Sequence, residues 1–258
     1  MKLLKFLLLV IISFSLLLSS CTSRKKTLYF QQINQDSSIV YKSFNDAHLI
    51  TSSDVLYVNF YSFDKSLTEM FNRSSSTSSY SMWNSEANVY VNGFSVNDSG
   101  FVELPLIGKL FVKGSTINQV KSLIQEKAKL YIKDITVMVK LLNFRFTVVG
   151  EVNRPGTYTN YNNDLNIFQA LSKAGDASIY GNKTITKLIR ETPEGKKVIE
   201  FDLTDINILN SEAYYIRPND IIYIEPVKDK AFKQNLPYMS VLFSSITTLI
   251  LILNYIER

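Results

Sequence analysis

Few side chains in this chain are suited to chemistry. In 258 residues there is one cysteine, Cys21, and one histidine, His48. Intramolecular disulfides, metal sites built on several Cys or His ligands, and most His-paired nucleophiles are thereby excluded. Carboxylates remain. Glu151, Asp176, Glu191 and Asp220 are the candidates for the acid pair of a glycoside hydrolase acting in a cell envelope. Each falls in or beside a turn, where a solvated acidic side chain is ordinary, so structural roles are expected for all four. His48 reads as a domain-edge residue rather than a base. Tyr80 and Trp83 have rings that stack on sugars, but beside a Ser-rich stretch they read as packing under a loop. The expectation is a protein that is not an enzyme and needs no metal or cofactor.

Cys21 has a different chemistry. Lys2 and Lys5 precede an apolar run from Phe6 to Leu18, the pattern of a secretory signal over residues 1–20. The run is short for a membrane-spanning anchor. Leu18-Ser19-Ser20-Cys21 has the form of a bacterial lipobox, in which the cysteine is acylated and becomes the first residue of the mature chain; a buried structural cysteine is the alternative. Removing Lys2 and Lys5 leaves 26 basic against 23 acidic residues. Arg24-Lys25-Lys26 accounts for that excess, placed where it meets anionic head groups. The remainder is near neutral, which argues against nucleic acid as a partner.

Composition is globular, with 46% hydrophobic and 20% charged residues, and at this length one large or two small domains are expected. Residues 21–45 read as a tether. Val55–Phe60 alternates as a half-buried strand, Ser74–Ser81 is a Ser/Thr-rich loop, and a β stretch at Asn88–Val96 turns through Asp98-Ser99-Gly100 into Phe101–Leu104 as a hairpin. Thr116 and Gln119 fit a capping box before a helix with Ile117, Val120, Ile124, Ala128 and Tyr131 on one face. Ile135–Leu141 is a strand. Residues 46–143 form one α+β module on this reading.

A second module, 144–227, begins with the strand Phe144–Val149 and a Pro155-Gly156 turn. Asp164 caps a helix containing Leu165, Phe168, Leu171 and Ala174, with Gly175 as its left-handed terminator. A hairpin crosses Pro193-Glu194-Gly195, and Pro218-Asn219-Asp220 turns into a last strand, Ile221–Glu225. One helix against several short strands suggests a β-grasp-like arrangement rather than a parallel sheet.

Residues 238–256 carry no charge and would span about 28 Å as a helix, enough to cross a hydrocarbon core. Pro237 is expected just before this helix. At 100° per residue, Ser240, Ser244, Thr247, Thr248 and Asn254 share an arc of about 120°, interrupted by Leu251 and Tyr255, with Leu242, Ile246, Leu249, Ile250 and Leu253 opposite. Alone, such a helix is a plain anchor whose hydroxyls bond back to its own backbone. In a ring, the hydroxyl face would line a lumen.

Two strings of residues resemble a known family. Ser53-Asp54-Val55-Leu56 with Gly100-Phe101-Val102-Glu103-Leu104-Pro105-Leu106-Ile107-Gly108 is similar to the polysaccharide export domain of outer-membrane polysaccharide export lipoproteins. Val149-Gly150-Glu151-Val152, Pro155-Gly156-Thr157-Tyr158 and Ala170–Asp176 resemble the soluble-ligand-binding β-grasp (SLBB-like) domain that follows it, with Gly150, Glu151, Pro155, Gly156 and Gly175 as its motif positions. The Ser-rich insertion and the Arg190–Gly195 hairpin resemble the version in Bacteroidetes-type bacteria. The resemblance runs from about Ile50 to Pro226, outside the lipobox and the terminal helix.

What the resemblance implies is an outer-membrane lipoprotein, mostly periplasmic, whose homo-oligomeric ring exports capsular polysaccharide or exopolysaccharide through a channel of C-terminal helices. It also implies an inner-membrane polysaccharide co-polymerase of the chain-length-determinant, tyrosine-kinase type as partner. An envelope lipoprotein that binds glycan or a partner without forming a channel is the competing reading. Two positions depart from the family. Only one β-grasp repeat is present, implying a shorter periplasmic vestibule, and Ser53 stands where a glycine is usual.

Overall fold

A computed structural model of the protein describes residues 28–31, 48–72 and 92–256. Cys21, the signal, most of the tether, the Ser-rich stretch, Tyr80, Trp83 and the start of the Asn88–Val96 stretch lie outside these residues. The described chain is mixed α and β and builds two hydrophobic clusters.

The first cluster forms around β1 (Val55–Tyr61), the middle strand of a three-stranded antiparallel sheet. Alternation places Leu56, Val58 and Phe60 in the core. Its neighbours are β2 (Phe94–Ser95) and β5 (Thr136–Leu141). A short helix, α1 (Lys65–Glu69), follows β1. The expected hairpin from the 88–96 stretch into Phe101–Leu104 is corrected here. The turn exists, with Gly100 N–H donating to Asn97 O at 2.9 Å, but β2 pairs with β1. β3 (Phe101–Leu104) pairs instead with β4 (Gly108–Phe111). Edge pairing with a long strand won over local pairing for the two-residue β2.

α2 (Ile117–Lys129) starts at the capping box: Thr116 Oγ1 accepts from Gln119 N–H, and the Gln119 amide oxygen accepts from Thr116 N–H at 2.8 Å. Val120, Ile124 and Ala128 are buried on its inner face. Tyr131 is exposed, stacking edge-on against Phe71 and donating to Leu106 O. At the start of β1, buried Asp54 accepts from Thr51 N–H and pairs with His48 Nε2 at 2.9 Å. Ser53 keeps the backbone that a glycine would have there, with φ of 72°.

The second cluster lies between one helix and a five-stranded sheet. β6 (Arg145–Gly150) and β7 (Gly156–Thr159) form a hairpin, α3 (Ile167–Lys173) follows, and β8 (Gly181–Thr192) and β9 (Gly195–Phe201) form a second hairpin. A 3₁₀ turn, Ile206–Asn210, leads to β10 (Ile221–Pro226). The order is β7-β6-β10-β8-β9, with β10 parallel to β6 and every other pair antiparallel. The strands are not uniformly short: β8 has 12 residues.

The cap of α3 also differs from expectation. It is Asn166, not Asp164: Asn166 Oδ1 accepts from Gln169 N–H at 2.9 Å and Gln169 returns the bond at 3.0 Å. The spacing Asn166-x-x-Gln169 satisfies two helix-end donors, whereas Asp164 would require Leu165, a core residue, to enter the first turn.

Arg190 on β8 and Asp220 before β10 are 5% and 1% exposed and pair through two bonds, of 3.0 and 2.7 Å. The same guanidinium donates to the carbonyls of Glu212 and Tyr215. Burial pushes the Asp220 carboxyl above its usual range, against the pull of Arg190. Asp220 is therefore no solvated turn residue. Arg190→Ala would strand a buried carboxylate and two carbonyls. It should cost about 3–5 kcal/mol, read as a lowered denaturation midpoint by circular dichroism.

Candidate functional site

The terminal helix α4 spans Lys230–Ile256, so it begins well before the expected span and contains Pro237. Proline donates no N–H, and the helix forgoes one backbone bond there. None of its apolar window is buried among the described residues, and it is long and apolar enough to cross a membrane. Ser240, Ser244 and Thr248 donate to helix carbonyls at 2.7, 2.9 and 2.8 Å, and Thr247 donates to those of Phe243 and Ser244. Ser245, outside the polar arc, does the same toward Leu242. Asn254 is exposed on the last turns. Each of these hydroxyls is satisfied without water, which suits both an anchor and a channel wall.

Where this helix meets the folded body, the motif residues gather. The loop after β6 lies against the end of α3. Asn153 N–H donates to Asp176 O at 3.0 Å, Arg154 N–H to Ala174 O at 2.9 Å and Ser178 N–H to Glu151 O at 2.8 Å, and Val152 bridges Ala177. Gly150 has φ of +89°, and a Cβ there would sit 2.2 Å from Ile224 O on the parallel neighbour β10. Only glycine fits so close an approach. Gly175, at φ +73°, ends α3 as expected. Gly156 is different: nothing lies within 4 Å of its Cβ position and its φ is not left-handed. The expected Pro155-Gly156 turn is corrected here: the chain bends at Asn153 and Arg154, and Gly156 already opens β7.

Glu151 is the link to the membrane helix. One carboxylate oxygen accepts from Lys230 Nζ and the other from Ser178 Oγ at 2.9 Å. Val227 N–H donates to Tyr180 O at 2.8 Å, fixing the three residues before α4. Lys230 and Ser178 carried no signal of their own in the sequence. A basic residue just before an apolar run is common, and its partner lies 79 positions away. The four carboxylates have different surroundings. Glu151 holds Lys230, Asp176 pairs with Lys183, Glu191 is exposed on β8, and Asp220 is buried with Arg190.

The Lys230 hydrogen bond holds the Glu151 carboxyl below the usual glutamate range, burial opposing it and Ser178 assisting. Because the folded value is depressed, the stabilisation is complete above the unfolded glutamate value of about 4.3 and is lost as pH falls through the lower folded value. Hydrogen exchange at the Val227 amide, referenced to Ile224, should therefore quicken below about pH 4. In Glu151→Gln it should already be fast at pH 7 and respond little to acid.

Known proteins resemble part of this chain. Residues 43–142 match the family model described as polysaccharide biosynthesis/export protein. The EPS I polysaccharide export outer membrane protein EpsA of Ralstonia solanacearum is 28% identical over 156 residues, covering 59% of this chain and 41% of that protein. Its namesake in Ralstonia nicotianae is 29% identical over 152 residues, covering 54% and 37%. This chain thus spans about two fifths of the length of the curated relatives it matches.

Proposed function

We propose that this chain, which carries the polysaccharide export domain and belongs to the polysaccharide export family, works in the outer membrane as the exit channel for a capsular polysaccharide or exopolysaccharide. The family is one of transport proteins, and the reading asks for no catalytic group. The relatives' names place export at the outer membrane. Acylated Cys21 and α4 are the two attachments to that membrane, with most of the chain in the periplasm. The second unit, whose strand order places the last strand parallel to the first beneath a single helix, is read as an SLBB-like β-grasp domain. The subunits form a ring facing an inner-membrane co-polymerase that delivers the glycan.

The observation that carries the channel is α4 itself. It is 27 residues long, unburied, and has hydroxyls gathered on one face. In a ring, the leucine face meets lipid while Ser240, Ser244, Thr247, Thr248 and Asn254 turn to a wet lumen. Neutral hydroxyls hydrogen-bond a passing glycan without trapping a charged one. A lysine facing lipid at mid-membrane costs about 2.5–3.5 kcal/mol, and far less in water.

Cysteines introduced singly at two positions test this reading. Thr247→Cys should react with a water-soluble maleimide in intact assemblies, and Leu249→Cys should be protected. Equal labelling, or faster labelling at position 249, would reduce α4 to an anchor and leave a binding lipoprotein. Metabolic labelling with a fatty acid should mark the wild type and not Cys21→Ser; equal labelling of both would remove the lipid anchor from the account.

A further inference from the structure

Residues 28–31 lie far in sequence from the second unit yet pack onto it. The Tyr29 hydroxyl donates to Asp176 Oδ1, and Lys183 Nζ sits 3.8 Å above the centre of the Tyr29 ring while pairing with Asp176 Oδ2 at 3.4 Å. Phe30 lies 4.6 Å from the Phe168 ring of α3, and Tyr29 meets the same ring edge-on at 5.5 Å. Gln31 N–H donates to Thr204 O at 2.6 Å. Asp176 itself takes a left-handed backbone, φ 69°, directly after Gly175. That backbone is uncommon for a residue with a side chain, and here it goes with a carboxylate that accepts from Tyr29. Burial, with the Asp176 carboxylate second, pushes the Tyr29 hydroxyl well above its ordinary value, so it remains a donor.

We propose that residues 28–31 are a brace for which the end of α3 is the receptor site, holding the N-terminal lipid beside the start of α4. The lipid part rests on the reading of Cys21 given above. Asp176 anchors the brace, and Ser178, two residues on, bonds Glu151, which holds Lys230. At about 3.5 Å per residue, no more than about 7 Å of chain separates the two anchor points. Tyr29 is eight residues from Cys21, a reach of at most about 28 Å, whereas an undocked tether back to His48 would reach about 95 Å. The brace therefore makes the second unit, not the export domain, the part held against the membrane.

Hydrogen–deuterium exchange of the full chain in detergent, read by mass spectrometry, tests the brace. The Gln31 amide should exchange at least about tenfold more slowly than an unprotected amide in the wild type. It should lose that protection in Phe168→Ala and in Asp176→Asn, while amides of β6 and β10 report an intact sheet. Unprotected exchange of Gln31 in the wild type would overturn the proposal, as would protection that survives both substitutions. The same digest weighs the peptide beginning at residue 21. An unmodified mass there would overturn the acylation reading, and with it the lipid placement, while the protection data would still decide the docking.

Discussion

An apolar helix of 27 residues with no cover from the other described residues is the constraint on which the rest depends. In water its leucines and isoleucines would drive aggregation. In hydrocarbon the backbone groups of its interior, except near Pro237, are bonded within the helix, and the serine and threonine hydroxyls bond to the carbonyls behind them. The helix is thus suited to a membrane. What it lacks is an orientation, which has to come from the folded body at its first turn.

The loop joining β6 to β7 supplies that orientation. Gly150 lets the first strand of the sheet run close against the last, so Glu151 emerges where β10 ends and α4 begins. Its carboxylate then spans two chain segments, Lys230 and Ser178. The residues that resemble a family motif thus have a physical reason to be there: glycine for the close approach and glutamate for the link to the helix. The buried Arg190–Asp220 pair fixes β10 against β8 from the other end, holding the strand on which α4 is mounted.

Local signals were legible in the sequence, and long-range ones were not. The Thr116–Gln119 capping box, the face of α2, the alternation of β1 and β5 and the left-handed Gly175 follow from spacing alone. Asp164 fits a cap by residue type alone, whereas Asn166, with Gln169 three residues later, satisfies both halves of the capping box. β4 has too little pattern to read from sequence, because Gly108–Phe111 is four residues with one buried side chain, Leu110. Tyr29 on Asp176, Lys230 on Glu151 and Arg190 on Asp220 join positions 30 to 147 residues apart, and no periodicity reports such pairings. The hydroxyl arc of α4 was visible from spacing. That each hydroxyl is already satisfied by its own helix was visible only as an option, and it leaves the face free to meet either lipid or water.

The central claim is that copies of α4 cover one another and enclose a lumen. Electron microscopy of the full chain extracted from membranes in mild detergent tests it most directly. The account predicts closed rings with a density-free axis running through the bundle of terminal helices. Uniform single-chain particles, each with one helix in its own micelle, would contradict it.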